Sequence, residues 1–193
     1  MSRWEPNARG RLAEAALELY SERGYEQTTV AEIARRAGLT ERTFFRHYTD
    51  KREVLFGGSG ALQELFVSAV AEAPESAAPI DAIAAGLEAV SAVFVGRREQ
   101  SRRRQAVIAA NAELQERELI KLASLAAALG GALRGRGVTE PAASLTAEAG
   151  VAVFKVGFEH WIASAGEREM APLMREALDE LKAVTAGAQG TSG

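Results

Sequence analysis

The chain has 193 residues, 47% of them hydrophobic, with no cysteine and a formal net charge of −3. That length suits one large domain or a small one joined to a larger one, and the apolar fraction argues against disorder. The composition excludes a disulfide framework, thiolate chemistry and cysteine-ligated zinc, and the charge argues against indiscriminate nucleic-acid binding.

The first ten residues are polar and charged rather than leader-like, and no apolar run approaches the roughly 20 residues of a membrane helix. The expectation is therefore a cytoplasmic protein with no membrane partner. Residues 1–56 carry a balance of +1 and residues 57–193 a balance of −4, and seven of the twelve aromatics fall in the first segment.

Apolar spacing predicts helices almost throughout. Leu12, Ala16, Leu19 and Tyr20 mark the first, which Gly24 stops. Val30, Ile33, Ala34 and Ala37 mark a second. Thr29 is its expected N-cap, Glu32 completes the capping pattern three residues on, and Gly38 ends it with positive φ. Thr40 caps a third that runs to Tyr48. Asp50 caps a fourth expected from Lys51 to Ala73, in which Gly57, Gly58 and Gly60 are either a hinge or a packing feature. Longer helices follow near 80–95, 98–110, 113–135, 141–164 and 169–186. The fold class is all-α: an N-terminal group of three short helices, then a connector and a larger helical domain, about nine helices in total.

On a helical wheel, Phe44 and Tyr48 share one stripe of the third helix. Arg42, Thr43, Arg46 and His47 lie opposite, with Phe45 at the margin. Arginine there can reach guanine N7 and O6 in the major groove, and Thr43 or Phe45 can touch a thymine methyl. Thr29 and Lys51 stand at helix starts, where phosphate is attracted. Glu41 fits the first helical turn and could also accept from cytosine N4. A solvated, arginine-bearing face of a plain three-helix bundle is the competing reading.

The block from Arg9 to Leu55 resembles the DNA-binding domain of TetR-family transcriptional regulators. The resemblance is carried by Gly24-Tyr25, Thr28-Thr29-Val30, Ile33-Ala34, Ala37-Gly38 and Thr43-Phe44-Phe45 through Tyr48 to Lys51. It implies a helix-turn-helix near 29–48 within a DNA-binding domain over 6–66. A ligand-binding and dimerisation domain over 67–186 and a disordered tail over 187–193 would follow. It also implies a homodimer on a palindromic double-stranded DNA operator, acting as a repressor that a small-molecule effector releases. Thr29, Thr43, Phe45, His47 and Lys51 would contact DNA, and Thr40, Glu41, Arg42 and Arg46 occupy the sequence-reading positions. Phe45 and His47 stand where Tyr is common, and Arg52 stands where an acid is usual.

Further along, Val151, Phe154, Phe158, Trp161, Leu173, Leu178 and Leu181 form stripes expected at a dimer interface. Gly150 and Gly157 would allow close helix approach there. Phe66, Phe94, Phe154, Phe158 and Trp161, with Gln105 and Asn111 as polar contacts, are the candidate ligand-binding residues. No cofactor or metal is expected. An enzyme is disfavoured because the two histidines, His47 and His160, are far apart and no catalytic motif stands in a suitable context. A DNA-binding regulator whose C-terminal domain answers to no small ligand stays open beside the ligand-responsive one.

Overall fold

A computed structural model describes residues 7–165 and 168–187. Positions 188–193, most of the expected tail, lie outside the described residues. Among the described residues the chain is all-helical, with nine α-helices and one short 3-10 turn.

The chain divides into two compact units. The first comprises residues up to Gly60 together with Gln100–Ile120; the second comprises Ala61–Glu99 and everything from Lys121 onward.

In the first unit, α1 (Ala8–Arg23) starts at Asn7, whose side chain accepts from the Gly10 amide, and ends at Gly24 with φ 89°. α2 (Val30–Arg36) and α3 (Glu41–His47) are only seven residues each. Helices that short are marginal alone and need tertiary burial. The burial comes from one core: Leu12, Ala16, Leu19, Ile33, Ala34, Phe44 and Tyr48, joined by Val54, Leu55 and Phe56. Val107, Ile108 and Leu114 complete it. They come from the end of α6 (Arg98–Ala109) and the start of α7 (Ala112–Gly135). The expected domain over 67–186 would place this α6–α7 hairpin with the later helices instead. The hairpin is fastened to the 3-10 turn: Arg104 Nε donates to Leu55 O at 2.8 Å, and Arg117 pairs with Glu53.

The single helix expected from Lys51 to Ala73 is two pieces. A 3-10 turn spans Glu53–Phe56 and α4 spans Ser59–Glu72. Residues 53–72 are together apolar and long enough to pass as a membrane span on composition, contrary to the sequence expectation. The run is interrupted at Gly57–Gly58, and Phe56, Phe66 and Val70 are core residues of the two units. Of the glycines here, Gly57 alone has a packing reason: an added Cβ would lie 2.8 Å from the Tyr48 ring. Gly58 and Gly60 face open space.

In the second unit, α5 (Pro79–Ala92), α8 (Ala142–Ala163) and α9 (Met170–Thr185) pack with α4 and the remainder of α7. The helices touch across glycine. A Cβ at Gly86 would meet the Phe66 ring at 2.3 Å, one at Gly150 would meet Ile83 at 2.8 Å, and one at Gly157 would meet Met174 at 2.7 Å. Gly150 and Gly157 therefore permit close approach inside one chain rather than between chains.

Two substitutions separate these glycine classes. Gly86→Ala is expected to destabilise by about 1–3 kcal/mol through overpacking. Gly60→Ala, in a helix and unobstructed, is expected to stabilise by about 0.5 kcal/mol. Thermal melts followed by circular dichroism check both signs.

Candidate nucleic-acid interface

The turn between α2 and α3 is built from backbone geometry. Gly38 takes φ 67°. Its amide donates to Arg35 O at 3.0 Å, and the Leu39 amide donates to Ala34 O at 2.8 Å. This is the Schellman pattern, which only a residue at ease with positive φ closes cheaply. Arg11 from α1 donates to Ala37 O, so a guanidinium satisfies a carbonyl at the negative end of α2.

Both helix starts are capped by threonine. Thr29 forms a full capping box with Glu32: the Thr29 amide donates to the Glu32 carboxylate at 2.9 Å, and the Glu32 amide donates to Thr29 Oγ1 at 3.3 Å. The Thr29 amide holds the Glu32 carboxyl below its usual range. Thr40 accepts from the Thr43 amide at 3.2 Å, and its hydroxyl also meets the Thr43 hydroxyl at 3.1 Å.

These caps present α3 with Phe44 fully buried and Tyr48 nearly so. Glu41, Arg42, Phe45 and Arg46 are exposed, and Thr43 and His47 are half-buried. Phe45 is 55% exposed although its ring stands edge-on to Phe44 at 5.4 Å, so an aromatic surface is displayed beside two arginines. Arg42 and Arg46 have no ion-pair partner among the described residues. Arg36, by contrast, is held by Glu18 and Glu22 at 3.0 Å each, and Arg23 is held by Glu32 at 3.1 Å. The His47 Nε2 atom is enclosed without a hydrogen-bond partner among the described residues, so that edge of the ring does not face outward.

Lys51 is placed differently from the expectation. It lies in the turn before the 3-10 segment, not at a helix start, and its ammonium donates to Tyr25 O at 2.9 Å and Thr28 O at 3.2 Å. The adjacent Arg52 pairs with Asp50 at 2.8 Å, and this hydrogen bond holds the Asp50 carboxyl below its usual range.

The residues expected at the C-terminal sites divide as well. Phe66, Phe94, Phe154, Phe158 and Trp161 do come together, with neighbouring ring centroids 5.7–6.5 Å apart. Gln105 and Asn111 belong to the other compact unit, where Gln105 donates to Glu118 and Asn111 to Val107 O. The residues expected at a dimer interface face the interior of their own chain. Val151, Phe154, Trp161, Leu173 and Leu178 are buried in their own chain's core, while Phe158 and Leu181 pack against it half-buried. The opposite side of α8 is apolar too. Leu145, Ala152 and Val156 are exposed there, with Ala149 half-buried between them. Their spacing of four, three and four residues was the available signal.

Two capped helices meeting at a Schellman turn, the second with its charged and aromatic side outward, define a helix-turn-helix DNA-binding protein. The comparisons with known proteins agree. Residues 12–56 match the model of bacterial regulatory proteins of the tetR family, and residues 77–186 match that of the MftR C-terminal domain. The chain belongs to the TetR family. It is a DNA-binding transcriptional regulator and not an enzyme.

The HTH-type transcriptional regulator TcmR of Streptomyces glaucescens is 39% identical over 82 residues, 42% of this chain. The match spans only 36% of that relative's length. Among solved structures, a TetR-family transcriptional regulator from Syntrophomonas wolfei superposes with a TM-score of 0.65 at 15% identity, covering 96% of this chain and 98% of the other. FadR from Bacillus subtilis, in complex with stearoyl-CoA, superposes with a TM-score of 0.62 at 19% identity, covering 89% and 96%. At these identities the likeness is one of fold.

Loss of a threonine cap is expected to cost about 1 kcal/mol. Thr40→Ala should lower the thermal midpoint and Thr40→Ser should restore most of it. Acid should act on the same unit. Glu32 and Asp50 titrate lower when folded, so their contribution is complete above roughly pH 5 and is lost as pH falls through their folded values. A circular-dichroism acid titration should show a shallower low-pH limb for Glu32→Gln than for the wild type.

Proposed function

We propose that the chain is a ligand-responsive repressor that binds a palindromic operator as a homodimer. The observation carrying this reading is the outward face of α3, where Arg42 and Arg46 lack ion-pair partners among the described residues while Arg23, Arg36 and Arg52 are each held by a carboxylate. Unpaired guanidiniums keep their donors for guanine edges and phosphates. On this reading Arg42, Arg46, Thr40 and Glu41 read sequence, and Thr43 and Phe45 make apolar or hydroxyl contacts. Thr29 and His47 flank them.

The dimer face we assign is the exposed stripe of α8 formed by Leu145, Ala149, Ala152 and Val156, with Val184 of α9 also exposed. A second copy placing the same stripe opposite would make a four-helix seam and supply the second recognition helix.

The aromatic cluster of the second unit supports an apolar effector. Phe94 and Phe158 are only half-buried, and they bridge the exposed side to the buried Trp161 and Phe154. The acyl-CoA complex of FadR, a protein of like fold, fits an apolar ligand in such a domain.

A gel-shift on the DNA flanking the protein's own gene, with and without cell extract, tests operator binding and release together. A retarded band that extract dissolves is expected, and no band on any flanking fragment would count against the repressor reading. Arg42→Ala should weaken binding by about 1–3 kcal/mol and relax preference at one base pair per half-site. An equal loss across all operator variants would remove direct readout there. Val156→Glu, at a site exposed in the single chain, should give folded monomer by light scattering and lower operator affinity.

A further inference from the structure

We infer that Lys51 is a positioning residue for DNA reading: its ammonium clasps the turn that delivers α2 instead of neutralising a phosphate. This rests on the reading of α3 as the DNA-contacting helix.

An ammonium has three N–H donors. Here three carbonyls converge on Lys51 Nζ: Tyr25 O at 2.9 Å, Thr28 O at 3.2 Å and Glu26 O at 3.4 Å. The same nitrogen stands 4.3 Å from the centroid of the Tyr25 ring, within cation–π range. A phosphate oxygen could bind this group only by displacing one of those partners. Lys51 is also held at its backbone, where its carbonyl accepts from the Tyr20 hydroxyl at 2.7 Å.

The clasped segment is short and consequential. It runs from Gly24, at φ 89°, to Thr29, the N-cap of α2. Thr28 within it is buried, donating through its hydroxyl to Gly24 O at 2.8 Å and through its amide to Tyr25 O at 3.2 Å. Carbonyls turned toward one another in this way repel unless a cation stands between them. The Tyr25 hydroxyl, in turn, donates to Glu113 of α7 at 3.3 Å. Lys51 thus joins the residues just after α3 to the residues just before α2, and so fixes the two helices at the ends away from their Gly38 turn.

The two roles differ in what arginine can replace. A guanidinium binds phosphate at least as well as an ammonium, but its flat fork cannot meet three carbonyls converging on one point. Lys51→Arg and Lys51→Met would be compared with wild type on a duplex enriched by the wild-type protein from a random-sequence pool, by fluorescence anisotropy over a salt series. Both variants are expected to lose affinity roughly tenfold, with the dependence of log affinity on log salt unchanged for Lys51→Met. Wild-type affinity in Lys51→Arg would overturn the inference. So would a Lys51→Met slope reduced by about 0.9 per bound copy, which is the loss of one phosphate contact.

Lysine acetylation of the wild-type protein, read by mass spectrometry, tests the clasp without a variant or an operator. Lys51 is expected to react more slowly than the exposed Lys155 in free protein, and enriched duplex should slow it no further. Equal rates for the two lysines, or slowing that appears only with DNA, would sink the inference. Failure of the wild type to enrich any duplex would instead count against the DNA-face reading, leaving the acetylation rates in free protein to judge the clasp.

Discussion

Burial of Phe44 is the contact on which the DNA-reading unit turns. α2 and α3 have seven residues each and cannot hold helical form by local hydrogen bonding alone. Their shape is imposed by a shared core, and Phe44 is the fully buried residue through which α3 joins it. Once Phe44 points inward, the 100° advance per residue sets the direction of every other α3 side chain, including those with no packing constraint. The same core requires Ile108 and Leu114, both fully buried. Sixty residues on their own make a marginal core, and the α6–α7 hairpin enlarges it with Val107, Ile108 and Leu114.

Electrostatics complement packing in this unit. Its arginines are numerous, and several that lie away from α3 are neutralised locally, Arg36 by two glutamates, Arg23 by Glu32 and Arg52 by Asp50. The near-zero balance of residues 1–56 therefore conceals an uneven distribution rather than a bland one. Positive charge persists where Arg42 and Arg46 stand, while long-range attraction for any polyanion is small. A reader of this kind gains more from matched geometry than from bulk charge.

Much of this was legible in the residues. The caps at Thr29 and Thr40, the positive φ at Gly38 and the inward Phe44 and Tyr48 are local consequences of sequence. Spacing alone states them, and each is present. Three features were not legible, for distinct physical reasons. α8 has apolar residues on two opposite sides, so its pattern cannot say which side serves its own chain; Val151, Phe154 and Trp161 face inward while Leu145 and Val156 do not. The hairpin around Asn111 carries few apolar residues among many charged ones, so its role in the first core is a tertiary matter. Lys51 looks like any basic residue after a recognition helix, because carbonyls from a turn some 25 residues earlier leave no mark on the local sequence.

The division of α7 between two compact units has a consequence for recombination of regulators. The helix runs unbroken from Ala112 to Gly135, and its first nine residues belong to the core that holds α3. A chimera joined near residue 60 would inherit a reader lacking part of its interior, however faithfully the helix-turn-helix were copied. On the proposed reading of α3, exchange of DNA specificity between such proteins is easier by grafting the outward residues of that helix than by transplanting the N-terminal segment whole. Glu41, Arg42 and Arg46 are exposed, so substitution there disturbs nothing buried.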